Sequence, residues 1–103
     1  MSTNNKTGLQ VHFIFRFKPE ATIDAIKQAT AGIDKLLQKN PGFVGRQLLR
    51  PEGDGHWVDM VQWKDAASSE AASAGFMGSK EGQSYLGLID NETLSNHRVI
   101  PLT

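Results

Sequence analysis

The first clear pattern along the chain has a period of two. In Val11-His12-Phe13-Ile14-Phe15-Arg16-Phe17, the residues Val11, Phe13, Phe15 and Phe17 share one face, and His12, Ile14 and Arg16 the other. Such alternation in a β-branched and aromatic run predicts a strand with one face in a core and one mixed face. Lys18-Pro19-Glu20 ends it, because proline has no N–H to give to a ladder. The period then becomes helical: Ile23, Ile26, Ala29 or Thr30, Ile33 and Leu36 or Leu37 make one apolar stripe. Thr22 is placed to cap this helix, which runs to about Lys39. Glu20 and Asp24 lie near its positive end, Lys35 and Lys39 near its negative end. Gly32 inside it costs roughly 1 kcal/mol relative to alanine, which a close packing contact would explain. Asn40-Pro41-Gly42 stops the helix.

Phe43 to Leu49 reads as a second, less regular strand, and Pro51-Glu52-Gly53-Asp54-Gly55 is dense turn chemistry. A third strand follows directly, so the two form a hairpin. This third strand carries both tryptophans, with Trp57, Asp59, Val61 and Trp63 alternating against Val58, Met60 and Gln62. Asp65 can cap an alanine-rich helix from Ala66 to Met77; Ser79 or Lys80 opens a second helical piece through Glu81, Tyr85, Leu86 and Ile89. Asp90-Asn91-Glu92 reads as a turn, and Leu94 to Ile100 as a last short strand before Pro101. The order β-α-β-β-α-β is that of the ferredoxin-like α+β fold, with a four-stranded antiparallel sheet. Helices on one face leave the other uncovered, with Ile14 among its side chains. An exposed apolar face of that size marks an interface, and a two-fold homodimer through it is the expected solution.

Composition narrows the function classes. The 103 residues leave room for one domain, taken as 9–103 after a solvated tail at 1–8. Eleven basic and eleven acidic side chains cancel, with no basic run of the kind a nucleic-acid binder shows. Without cysteine there is no disulfide framework, thiolate metal site or cysteine nucleophile. No apolar run approaches the roughly 18 residues that span a bilayer, and the first eight residues lack the apolar core of a signal peptide. The expected compartment is the cytoplasm. Gly75-Phe76-Met77-Gly78 and Gly82 match no nucleotide fingerprint, so neither a nicotinamide cofactor nor a flavin is expected, and cofactors are set at none.

Asn40-Pro41-Gly42-Phe43 before strand two, and Trp63-Lys64-Asp65 before an alanine-rich helix, resemble the antibiotic-biosynthesis-monooxygenase type of dimeric α/β barrel. The resemblance runs from about Val11 to Val99. It implies a homodimer, a cavity between sheet and helices and, in the cofactor-free monooxygenases of that superfamily, oxidation of a flat aromatic molecule. Trp63 matches their strand-end tryptophan; its indole N–H would hold a substrate oxygen while the ring stacks on the substrate, or else it anchors the core. Haem-degrading members combine a strand-one asparagine with a histidine on the second helix. Strand one here has no asparagine, and Ala66 to Met77 holds no histidine.

The remaining candidates come from the residues themselves. His12 and His97 lie on strands that are neighbours in this topology, so they can approach one another; a neutral imidazole is the proton acceptor that removing a phenolic proton requires. Two histidines make a poor metal site, and no metal is expected. His56 sits at the turn. Asp59 in an apolar strand needs a partner, Arg46 or Arg16, whether the pair serves structure or orients a ligand beside Trp57. Tyr85 can turn its hydroxyl into the cavity or cap the core. The leading reading is a cofactor-independent monooxygenase acting on a flat aromatic molecule, with His12 and His97 as candidate bases and Trp63, Trp57, Asp59, Tyr85 and Arg46 as binding residues. The alternative is a non-catalytic dimeric binding or assembly module.

Overall fold

The computed structural model describes residues 8–103; the tail expected at 1–8 lies, Gly8 apart, outside the described residues. The elements follow in the order β1 (Leu9–Phe17), α1 (Ile23–Gln38), β2 (Phe43–Leu49), β3 (Trp57–Trp63), α2 (Ala66–Met77), α3 (Lys80–Leu88) and β4 (Ile89–Val99). The sheet is antiparallel in the order β2-β3-β1-β4, the ferredoxin-like arrangement. Each helix begins at an oxygen-bearing cap. Thr22 accepts from Ala25 N–H, Asp65 from Ser68 N–H and Ser79 from Gly82 N–H, so each satisfies a donor the helix would leave unpaired.

The core lies between the sheet and the helices. Phe15 and Ile89 are fully enclosed, with Leu9, Val11, Ile33, Leu37, Val61 and Trp63 around them. This is the face predicted from the alternation of β1 and the stripe of α1, although Ile23 stays exposed at the start of that helix. Gly32 faces Glu81 of α3, and a methyl group there would make ordinary contact.

Two irregularities depart from simple alternation. In the β2–β3 pairing Phe43 opposes Trp63 and Gly45 opposes Gln62, so Val44 is an extra residue, a bulge that stays exposed. The bulge changes the phase of the strand. Strict alternation from Phe43 would turn Arg46 and Leu48 away from the core; instead Leu48 packs against it and Arg46 is buried.

The second irregularity corrects the expected ending of the chain. Asp90-Asn91-Glu92 is not a turn before the last strand but part of a β4 that begins at Ile89. Phe17 pairs with Ile89 and Arg16 with Asp90; the ladder then skips to Ile14 opposite Ser95. The residues looped out hold themselves, as Thr93 Oγ1 donates to the Asp90 carbonyl (2.7 Å) and accepts from Arg16 N–H (2.8 Å). Polar turn chemistry is real here, but it makes a bulge inside a strand.

Candidate functional site

The site starts from what α2 lacks. Between Ala66 and Gly75 that helix carries only alanine, serine, glutamate and glycine, with a large apolar side chain arriving only at Phe76. A helix held at normal distance from a sheet by its ends, but with short side chains between, cannot fill the space beneath it. The result is a cavity of about 560 Å³. Its sheet wall is Val11, Phe13, Val61 and Trp63, and its helical wall includes Ser69, Ala72 and Phe76. The volume is in the range of small-molecule sites, and the wall is mostly apolar with a few polar points.

One polar point is a buried ion pair. Arg46 donates from Nε to Asp59 Oδ1 (2.9 Å) and from Nη2 to Oδ2 (2.6 Å), the two-point geometry that suits a guanidinium and a carboxylate. Both side chains are almost wholly buried. Arg46 Nη1 reaches α1, where it donates to Thr30 Oγ1 (2.6 Å) and Asp34 Oδ1 (2.9 Å), residues four apart on one helical face. Tyr85 of α3 donates its hydroxyl to Asp59 Oδ2 (2.7 Å), and its ring lies beneath the guanidinium, 5.4 Å from centroid to carbon. Burial works against the charge of Arg46, but Asp59 and Asp34 outweigh it and hold the guanidinium well above its ordinary range. Burial, reinforced by the Asp59 charge, pushes the Tyr85 phenol far above its ordinary value of 10.0. This cluster satisfies its own donors and acceptors. Its chemistry is structural and electrostatic: it does not offer a free base.

Trp63 and Ser69 are different. Both line the cavity and both are buried. Trp63 packs edge-on against Phe43, and among the described residues no acceptor meets its indole N–H. The mouth holds Asn96 and Arg98 of β4 and Glu70 of α2, with Arg98 and Glu70 in a loose, exposed ion pair at 3.7 Å.

The structure brings Arg46, Asp59, Tyr85 and Trp63 together at this cavity. It does not bring the histidines there. His12 and His97 are direct cross-strand partners, as the topology predicts, but their strands turn Val11, Phe13, Asn96 and Arg98 toward the cavity and the imidazoles to the opposite, open sheet face. His12 meets Gln10 Oε1 there (3.1 Å), and His97 lies 3.4 Å from the Ser95 hydroxyl. Trp57 shares the inner face of β3 but sits beyond the cavity, edge-on to Phe17 and under Arg50. Arg16, the other partner considered for Asp59, pairs instead with Asp54, whose carboxyl it holds below the usual range. Among the described residues no three His, Asp or Glu side chains converge as a metal site would require. Ser69, Asn96, Glu70 and Arg98 carried no motif. The signal that would have found Ser69 is the run of small residues in α2, a wall rather than a packing face.

Comparison with known proteins agrees with the architecture. A family model described as antibiotic biosynthesis monooxygenase matches residues 9–75. Among solved structures, SnoaB, a cofactor-independent oxygenase from Streptomyces nogalater, superposes with a TM-score of 0.78 at 19% identity, covering 94% of this chain and 95% of that one. A conserved protein from Methanosarcina mazei Go1 gives 0.75 at 12% identity over 97% and 98%. At these identities the likeness concerns the fold. No curated protein sequence matches the chain.

Proposed function

The chain belongs to the antibiotic biosynthesis monooxygenase family, and from that premise we propose that it is a cofactor-independent oxygenase acting on a flat, hydroxylated aromatic molecule bound between sheet and helices. The observation that carries the reading is the cavity itself: about 560 Å³, walled mainly by apolar side chains, with Trp63, whose indole N–H meets no acceptor among the described residues, in its wall. A fused-ring molecule is matched by such a wall, and the Trp63 N–H is placed to donate to an oxygen whose negative charge grows as the substrate ionises.

The chemistry then divides between substrate and protein. The imidazoles face away from the cavity and the buried carboxylate is locked to Arg46, so the substrate must be acidic enough to ionise without an enzymic base at the cavity floor. A methylene flanked by hydroxylated rings meets this requirement. Its anion gives one electron to dioxygen, the two radicals combine to a peroxide, and loss of water leaves a ketone. The balance is one CH₂ and one O₂ to one C=O and one H₂O. The protein's part is to exclude bulk water, orient the ring and stabilise the oxyanion. The open sheet face, with His12, His97, Ile14, Val58 and Met60, serves in the same proposal as the homodimer interface.

The Asp59 carboxylate, already held by Arg46 and Tyr85, favours a second reading, a dimeric module that binds such a molecule without turning it over. Oxygen uptake with 1,8-dihydroxyanthrone separates the two. Turnover of one O₂ per ketone, lost when Ala72→Phe fills the cavity, supports the oxygenase. Binding that Ala72→Phe abolishes, with uptake no faster than in buffer, supports the binding module.

A further inference from the structure

Ser69 is a buried hydroxyl in a place where hydroxyls normally find a partner. It lies in the first turns of α2 and is 7% exposed. A helical serine at this depth usually folds back on the carbonyl four residues earlier. Here the Asp65 carbonyl takes the Ser69 N–H (3.4 Å), and the side chain bonds to no described residue. Yet no buried side-chain oxygen or nitrogen among the described residues is left unpaired and sealed off, so the Ser69 hydroxyl opens onto the cavity it lines. Trp63 is in the same condition on the sheet wall. The two donors without a partner among the described residues therefore belong to different walls of one apolar space, while the Arg46, Asp59 and Tyr85 side chains are already bonded to one another.

We propose that Ser69 is a specificity-determining residue, which with Trp63 forms a two-point clamp for a ring system bearing two acceptor oxygens. The proposal rests on the cavity being a site for a flat aromatic molecule. It adds which such molecules enter: those with oxygens to satisfy both donors. A site with donors waiting discriminates strongly against an analogue that leaves them unpaired. Removing the hydroxyl gives up one hydrogen bond but also the penalty for leaving it unmade, so Ser69→Ala erases discrimination rather than binding.

Two ligands isolate the effect. Anthraquinone-2-sulfonate and anthracene-2-sulfonate share frame and charge and differ in two carbonyl oxygens. Their affinities are read by quenching of tryptophan fluorescence in the full-length protein, Ser69→Ala and Ser69→Thr. The expected result is a wild-type preference for the quinone of about tenfold or more, with Ser69→Ala weakening the quinone about five- to tenfold and leaving the hydrocarbon unchanged. Ser69→Thr, which keeps the hydroxyl, retains the preference. An unchanged ratio in Ser69→Ala, or equal weakening of both ligands, overturns the clamp while the cavity reading stands. Failure of the wild type to bind either ligand overturns both. Binding with the expected ratios but no oxygen uptake leaves the clamp intact and removes only the oxygenase.

Discussion

At the scale of single residues, Arg46 and Asp59 are the costliest polar choice in the chain. Two charges out of water are compensated only while both are present, with Tyr85, Thr30 and Asp34 completing the set. Arg46→Met keeps the length of the side chain but leaves Asp59 buried and uncompensated. Urea denaturation is expected to show a loss of about 3–5 kcal/mol. Tyr85 gives a second prediction, clean because it is the single tyrosine. Its phenol is raised by burial and by Asp59, so absorbance at 295 nm should show no tyrosinate step near pH 10 while the protein is folded. The sign follows from proton counts. Above pH 10 the unfolded chain has lost the phenolic proton and the folded chain keeps it, so stability is present below that pH and falls as pH rises beyond it. A reversible tyrosinate step near pH 10 with native circular dichroism would contradict this placement.

At the scale of elements, the junctions rather than the helices themselves set the geometry. Gly82 sits where α3 begins against the end of α2, and a Cβ on it would lie inside contact distance of the Phe76 carbonyl. Backbone cannot step aside as a side-chain tip can. Gly82→Ala should therefore cost about 1–3 kcal/mol in thermal or chemical unfolding, although alanine is the better helix former. Stability equal to or above wild type would show that the α2–α3 junction is looser than this. The bulge at Val44 acts at the same scale. It re-aims Arg46 toward Asp59, so a single extra residue in β2 decides whether the buried carboxylate has a partner.

At the scale of the whole molecule, the sheet has one covered and one open face. Ile14, Val58 and Met60 on the open face are only half-buried in a single chain, and Leu49 and Val99 at its edges are exposed. The homodimer proposed above covers them. Sedimentation should give a dimer for the wild type and a monomer with retained helical signal for Met60→Glu, because a carboxylate at the centre of the interface would be buried unpaired. A wild-type monomer at micromolar concentration would rule the assembly out.

The sequence by itself determined the class of fold, the ends of most elements, the core face of β1 and α1, and the adjacency of His12 and His97. Periodicity, caps and turn residues are local, and local patterns are legible in a linear string. It also required a partner for Asp59, because a buried charge demands one, and left Arg46 and Arg16 open; the structure gives Asp59 to Arg46 and Arg16 to Asp54. Only the tertiary structure decided which face each polar residue occupies. Parity along a strand is relative: a bulge at Val44 reverses it for Arg46, a larger one in β4 absorbs the polar stretch at Asp90, and no spacing says which sheet face the helices cover. That choice left the two histidines outside and enclosed Trp63, Tyr85 and Ser69. A cavity is the hardest feature to read, since it is made by side chains that are too small, and absence of volume becomes visible only when the opposite wall is in place.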